Sequence, residues 1–151
     1  MSQEVSVLVY SNVQRLKTRP QFQAVLSGKV LARTTHFALH RSDLVLESSA
    51  GQSPQAPLFS HACVWLGAMV PKRWAKRAVT RNAIKRQIYN VSVQFEPHLG
   101  QAAHVVRLRA GFDRKQFVSA TSEVLKAAVR TELLSLFERA CPGATALVVQ
   151  G

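Results

Sequence analysis

Cysteine, acidic residues and glycine are all scarce in this chain: of 151 residues, two are Cys, eight are Asp or Glu and seven are Gly. Cys63 and Cys141 have no metal-ligand spacing and no framework of further cysteines, which excludes a disulfide scaffold and a zinc module. They read as reduced thiols, Cys63 buried in an apolar run and Cys141 incidental. The few acids are scattered, so no pair suggests a two-metal nuclease. There is no glycine-rich phosphate loop and no nucleophile motif. The five histidines, at 36, 40, 61, 98 and 104, have no carboxylate or cysteine in ligand spacing around them. The expectation is a chain with no catalytic residue and no metal site of its own.

Long apolar runs are also missing. Nothing reaches the roughly 18 residues of a membrane span, and there is no lipidation motif or single long basic amphipathic helix, so no membrane partner is expected. The segment Met1 to Tyr10 lacks the basic start and apolar stretch of a secretory signal and contains Glu4. A cytoplasmic location is the corresponding expectation.

What the chain does have is positive charge. Twenty Lys and Arg give a formal net charge of +12, a field that attracts polyanions, nucleic acid first among them. The apolar fraction of 47% with seven Phe suffices for one core. The length fits one domain. The expected boundaries are a tail over 1–14, a single RNA-binding domain over 15–141 with a long loop at 43–61, and a tail over 142–151.

Thr18-Arg-Pro-Gln21 has the form of a capping box and predicts a short helix with Phe22, Val25 and Leu26 on one face, ending at Gly28. Val30 to Arg41 reads as extended, with a strand around His36 to His40. Ser48 to Pro57 lacks periodicity and reads as loop. Ala62 to Val70 is a continuous apolar run of strand length.

After Pro71 the charge begins: Lys72, Arg73, Lys76, Arg77, Arg81, Lys85 and Arg86, with no acid until Glu96. Ile84, Ile88, Val91 and Phe95 then fall within about 40° of one direction on a helix, leaving Arg81, Asn82, Lys85, Arg86 and Tyr89 on the opposite and flanking faces. Val105 to Leu108 reads as another strand. Asp113 with Gln116 and Phe112 with Phe117 form a second capping signal. A last helix towards Ala140 would bury Val124, Leu125, Ala128, Val129, Leu133, Leu136 and Phe137, with Pro142-Gly143 as its stop. The order α-β-β-α-β-α is α+β with a small mixed sheet, and the basic helix sits in a possible crossover unit.

A cationic helix face is usually just solvated, but such faces normally mix both signs. This one has no acids, so Arg81, Lys85 and Arg86 are candidates for phosphate contact and Asn82 for a base edge or 2′-hydroxyl. Phe22, Leu26, Phe37 and His40 are candidates for a surface on which an unpaired base stacks, against the plainer expectation that such residues are core.

The run Lys72-Arg-Trp-Ala-Lys-Arg-Ala-Val-Thr-Arg-Asn-Ala-Ile-Lys-Arg86, preceded by Leu66-Gly-Ala-Met-Val70, resembles the signature of the protein subunit of bacterial ribonuclease P, in which a strand ending in a basic pair leads into a helix bearing Arg-Asn-Arg-x-Lys-Arg-x-x-Arg-Glu. Gln21 to Val25, Thr35 to Leu39 and Val105 to Leu108 extend the resemblance to roughly residues 15–140. It implies the family's α+β sandwich with a left-handed βαβ crossover. The implied partners are the catalytic RNA and precursor tRNA, cleaved hydrolytically at its 5′ side, with catalysis in the RNA and its Mg²⁺ ions. No cofactor bound by the protein and no obligate protein partner are implied. By the same resemblance Lys72, Arg73, Lys76, Arg77, Arg81, Asn82, Lys85 and Arg86 face RNA, and Phe22, Leu26, Phe37 and His40 line a cleft for the precursor's single-stranded leader.

The chain departs from the family pattern at Ala83, where the second Arg of Arg-Asn-Arg stands, and at Tyr89-Asn90 in place of Arg-Glu. Leu26 and His40 occupy two of three usually aromatic cleft positions. Two other readings remain on the residues alone: a non-enzymatic RNA-binding protein of ribosome or ribonucleoprotein assembly, and a DNA binder using the basic helix in a major groove.

Overall fold

The computed structural model describes residues 13–44, 59, 63–112 and 123–141. In chain order these form β1 (Gln14–Arg15), α1 (Arg19–Leu26), β2 (Lys29–Arg33), β3 (Phe37–Ser42), β4 (Trp65–Met69), α2 (Ala78–Leu99), β5 (Ala103–Leu108) and α3 (Glu123–Ala140). The five strands make one mixed sheet in the order β1-β4-β5-β3-β2. β4 runs parallel to both β1 and β5, and β5-β3-β2 are antiparallel neighbours. The strand-helix-strand unit β4-α2-β5 therefore joins adjacent parallel strands, as the crossover reading requires.

The capping box sets the start of α1. Thr18 Oγ1 accepts from the Gln21 amide at 3.3 Å, while Gln21 Oε1 accepts from the amides of Thr18 at 3.1 Å and Lys17 at 2.7 Å. The helix ends at Leu26 with Ser27 as its cap. Gly28 then passes so close to the Arg41 carbonyl of β3 that no side chain fits there.

Alternation along the strands divides the core in two. On one face Phe37, Leu39, Leu66, Ala68, Val106 and Leu108 pack under α2 and α3, joined by Ile84, Ile88, Val91 and Phe95 from α2 and Leu125, Val129, Leu133, Leu136 and Phe137 from α3. On the other, Trp65, Ala103 and Val105 pack with Leu16, Val25 and Phe59 under α1. All four apolar α2 positions expected inward are buried.

Several expectations need correction. Two strands are additional to the expected order. β1 has only two residues, too few for any periodicity, and is held by Gln14 and Leu16 amides donating to the Val64 and Leu66 carbonyls at 2.8 and 3.0 Å. It begins at Gln14, inside the expected tail. The extended stretch from Val30 is two strands rather than one, folded at Thr34 to His36, and β2 lies at the sheet edge with a bulge between Val30 and Ala32 that breaks its alternation.

Val124, expected inside, is 65% exposed, because the buried face of α3 starts only at Leu125. Ala128 is half-buried. The cysteines trade places: Cys141, against the end of α3, is buried, and Cys63 is half-buried. Burial pushes both thiols up from their ordinary pKa, so neither is an activated nucleophile. The second capping signal at residues 113–117 and the stop at 142–143 lie outside the described residues, apart from Phe112. So does nearly all of the loop over 43–61.

Candidate nucleic-acid interface

The basic segment leaves β4 through a tight turn in which the Trp74 and Ala75 amides both donate to the Pro71 carbonyl at 3.1 Å. Arg81, one turn into α2, reaches back over this segment. Its Nη1 donates to the Lys76 carbonyl at 2.7 Å and the Ala75 carbonyl at 3.1 Å. Arg81 is thus partly a fastener that fixes the loop bearing Lys72, Arg73, Lys76 and Arg77 against the helix. Those four cations, with Asn82 and Arg86, are exposed; Arg81 and Lys85 are half-buried.

Every residue expected to face RNA therefore lies on or beside the outer side of α2, and none of its cations is paired with a carboxylate among the described residues. The start of α2 adds to the imbalance. Arg77 caps it without a side-chain hydrogen bond, and the first turn holds no acid. The positive end of a helix dipole and like-signed cations together lower the energy of an incoming phosphate. Trp74, not singled out by the sequence reading, is 38% exposed within this patch, with the Arg73 guanidinium 5.2 Å from its ring centre. An aromatic interleaved in a basic run was the available signal.

The second surface lies on the α1 side of the sheet. Phe22 and Leu26 of α1 and His40 of β3 are all on this side, Phe22 and Leu26 half-buried and His40 more deeply set. Gly67 makes room for the aromatic ring: a Cβ there would lie 2.5 Å from Phe22 Cε1. Phe37, expected in the same cleft, is not in it. The strand alternation that aims His40 at α1 aims Phe37 through the sheet, where it is fully buried and tilted against Phe112 with ring centres 6.0 Å apart. Phe37 is core.

Arg107, which sequence reading passed over, belongs to this surface: its Nε donates to His40 Nε2 at 3.3 Å. Burial, then the positive charges of Arg107 and Arg33, hold the His40 pKa below its ordinary value against the opposing effect of the Leu26 backbone. The shift favours the neutral imidazole, whose Nε2 can accept the hydrogen bond from Arg107. The strand pairing that would have revealed Arg107 was not legible without the register.

A third polar group is architectural. Glu132 of α3 accepts from Thr34 Oγ1 and the His36 amide, each at 2.6 Å, and its other oxygen meets His36 Nδ1 at 2.7 Å. It locks the β2-β3 turn onto α3. No group of three or more His, Cys, Asp or Glu among the described residues could hold a metal ion. No helix among them is long and apolar enough to cross a membrane.

A mixed sheet with helices on both faces, and on its outside a helix whose basic first half holds no acid, define the class: an α+β domain suited to meet a polyanion. Comparison with known proteins narrows this. Residues 10–132 match the family model described as Ribonuclease P. The chain is 32% identical over 129 residues to the ribonuclease P protein component of Ralstonia pickettii, covering 85% of this chain and 80% of that one. It is 34% identical over 125 residues to that of Bordetella avium, covering 83% and 89%. The fold is shared with the Staphylococcus aureus RNase P protein at a TM-score of 0.57 and 18% identity, over 83% of this chain and 94% of that one. The chain belongs to the ribonuclease P protein family.

Proposed function

We propose that the chain acts as the protein subunit of ribonuclease P, binding the RNA subunit through the outer side of α2 and the preceding turn, and the 5′ leader of precursor tRNA through the cleft between α1 and the sheet. Family membership supports the association with an endoribonuclease. The observation that carries the assignment of surfaces is the unpaired row of cations from Lys72 to Arg86, fastened by Arg81. In this reading the protein supplies affinity and orientation, while the cleavage and its Mg²⁺ ions belong to the RNA. Arginine forks and lysine ammonium groups match phosphates without requiring a base sequence, which suits a folded RNA partner.

For the leader, Phe22 offers a ring over Gly67, Leu26 an apolar contact, and His40 with Arg107 a polar floor that can meet a base edge or a phosphate. Phe37 has no part in it. The test is the affinity of the reconstituted ribonucleoprotein for precursor against mature tRNA. The reading predicts a preference for precursor that Phe22→Ala diminishes. Equal affinities with the wild-type chain would remove the leader from the account and favour an RNA-binding protein without a substrate role.

A further inference from the structure

Residues 81, 85 and 89 follow one another at four-residue steps along α2 and so form one stripe on the helix surface. The first two are cations. The third is Tyr89, half-buried and packed against the core. A guanidinium nevertheless stands at this point of the stripe: the Arg15 Cζ lies 3.9 Å from the Tyr89 ring centre. Arg15 comes from β1, is exposed, and has no carboxylate partner among the described residues.

We propose that Arg15 is a third RNA-contacting cation of the α2 stripe, brought in from β1 and positioned by the Tyr89 ring. The inference rests on the reading of α2 as the surface for the RNA subunit. Arg15 is well placed because two elements fix it. The β1 backbone is pinned to β4 on both sides of it by the Gln14 and Leu16 amides, and the ring face holds the guanidinium by cation-π attraction. One turn of helix rises about 5.4 Å, so the Arg15 charge extends the row begun by Arg81 and Lys85 by about one step, close to the spacing of successive phosphates. The ring occupies one side of the guanidinium and Arg15 is exposed, which leaves N–H groups to donate to a phosphate. The helix thus presents an aromatic support where its own sequence has no charge, and the charge arrives from the neighbouring strand.

The experiment measures binding of the full chain to ribonuclease P RNA over a range of monovalent salt, with thermal unfolding of each variant alongside. Arg15→Gln, which keeps much of the stem and removes the charge, is expected to lower affinity several-fold and to reduce the slope of log affinity against log salt by roughly 0.7–0.9, the loss of one phosphate contact. Arg15→Lys should recover the slope and part of the affinity. Tyr89→Phe, which keeps the ring, should leave the slope at the wild-type value. Lys85→Ala is the control for the parent reading. If Lys85→Ala reduces the slope and Arg15→Gln leaves both slope and affinity unchanged, the α2 surface stands and the role of Arg15 is refuted. If Arg15→Gln and Arg15→Lys weaken binding equally and both unfold at lower temperature, Arg15 is a structural residue and the proposal is likewise overturned. Should neither Lys85→Ala nor Arg15→Gln change the slope, the parent reading of α2 fails with it.

Discussion

Phe22 rests on Gly67, with so little space between helix and sheet that a Cβ on Gly67 would lie 2.5 Å from Phe22 Cε1 and 2.8 Å from Leu16 Cδ1. The absence of one methyl group on β4 is what lets α1 lie close to the sheet and sets the floor of the cleft proposed for the leader. Gly67→Ala must push Phe22 and Leu16 aside. An overpacked site of this kind costs about 1–3 kcal/mol, to be read from urea denaturation, and the preference for precursor tRNA should fall with it. Unchanged stability would mean that α1 is not seated as described.

Phe22 and Phe37 should separate binding from folding. Phe37→Ala removes a fully buried ring from the larger core and is expected to cost about 3–5 kcal/mol, with the precursor preference of whatever remains folded intact. Phe22→Ala should do the reverse, weakening precursor binding at a smaller cost in stability. Parallel effects of the two on leader binding would contradict their placement on opposite sides of the sheet.

Arg81 and Lys85 should separate in a similar way. Arg81 Nη1 binds two backbone carbonyls of the preceding turn, so Arg81→Ala is expected to lower stability by about 1–3 kcal/mol as well as flatten the salt dependence of RNA binding. Lys85→Ala should flatten the salt dependence alone. Thermal unfolding of the two variants checks this.

Acid stability has a defined window. Burial, with a smaller contribution from Arg41 and against the Trp65, Leu99 and Ala102 backbone, lowers the His104 pKa from 6.5 to about 4. The unfolded chain therefore takes up a proton near pH 6.5 that the folded chain refuses until about pH 4. The stabilisation is complete above pH 6.5 and is lost as the pH falls towards 4, on the order of 3 kcal/mol in all. His40, whose pKa is also lowered, acts in the same direction. His104→Leu should flatten this part of the curve of unfolding free energy against pH. A wild-type curve already flat between pH 4 and 6.5 would show that His104 is not buried neutral.

Glu132 acts lower on the scale. Burial raises its pKa, but the hydrogen bonds from Thr34 and His36 outweigh this and hold it below the ordinary carboxylate value. Its contribution is present above the unfolded-state pKa and lost as the pH falls through the folded one. Glu132→Ala, which removes the acceptor that Thr34 Oγ1, the His36 amide and His36 Nδ1 share, should cost about 2–3 kcal/mol near neutral pH, as measured by denaturant unfolding. An unaltered midpoint would rule out the lock between this turn and α3.

The parts of the molecule that were legible in the sequence are those governed by local rules. The Thr18-Gln21 box fixed the start of α1, the 3.6-residue period from Ile84 to Phe95 fixed which side of α2 is buried, and the apolar run from Ala62 to Val70 marked β4, an interior strand of the sheet. A local rule also separates Phe37 from His40: three residues apart on β3, they point to opposite faces of the sheet, against the expectation of one cleft. What the sequence hid depends on pairing between distant segments. β1 is a strand only because β4 offers it an edge. Arg107 and Arg15 join the two proposed surfaces through contacts with His40 and Tyr89, which no local pattern encodes. Cys141 is buried because the end of α3 turns it inward, and Val124 is exposed because the inward face begins one residue later.

Whether this chain serves the ribonuclease P RNA is decided by adding the purified chain to bacterial ribonuclease P RNA at low Mg²⁺ and following cleavage of precursor tRNA at its 5′ side. Cations that neutralise RNA phosphates should replace part of the Mg²⁺ requirement, so the account predicts a large stimulation over RNA alone that declines with added monovalent salt. Cleavage at the rate of the RNA alone, at every protein concentration, would contradict it.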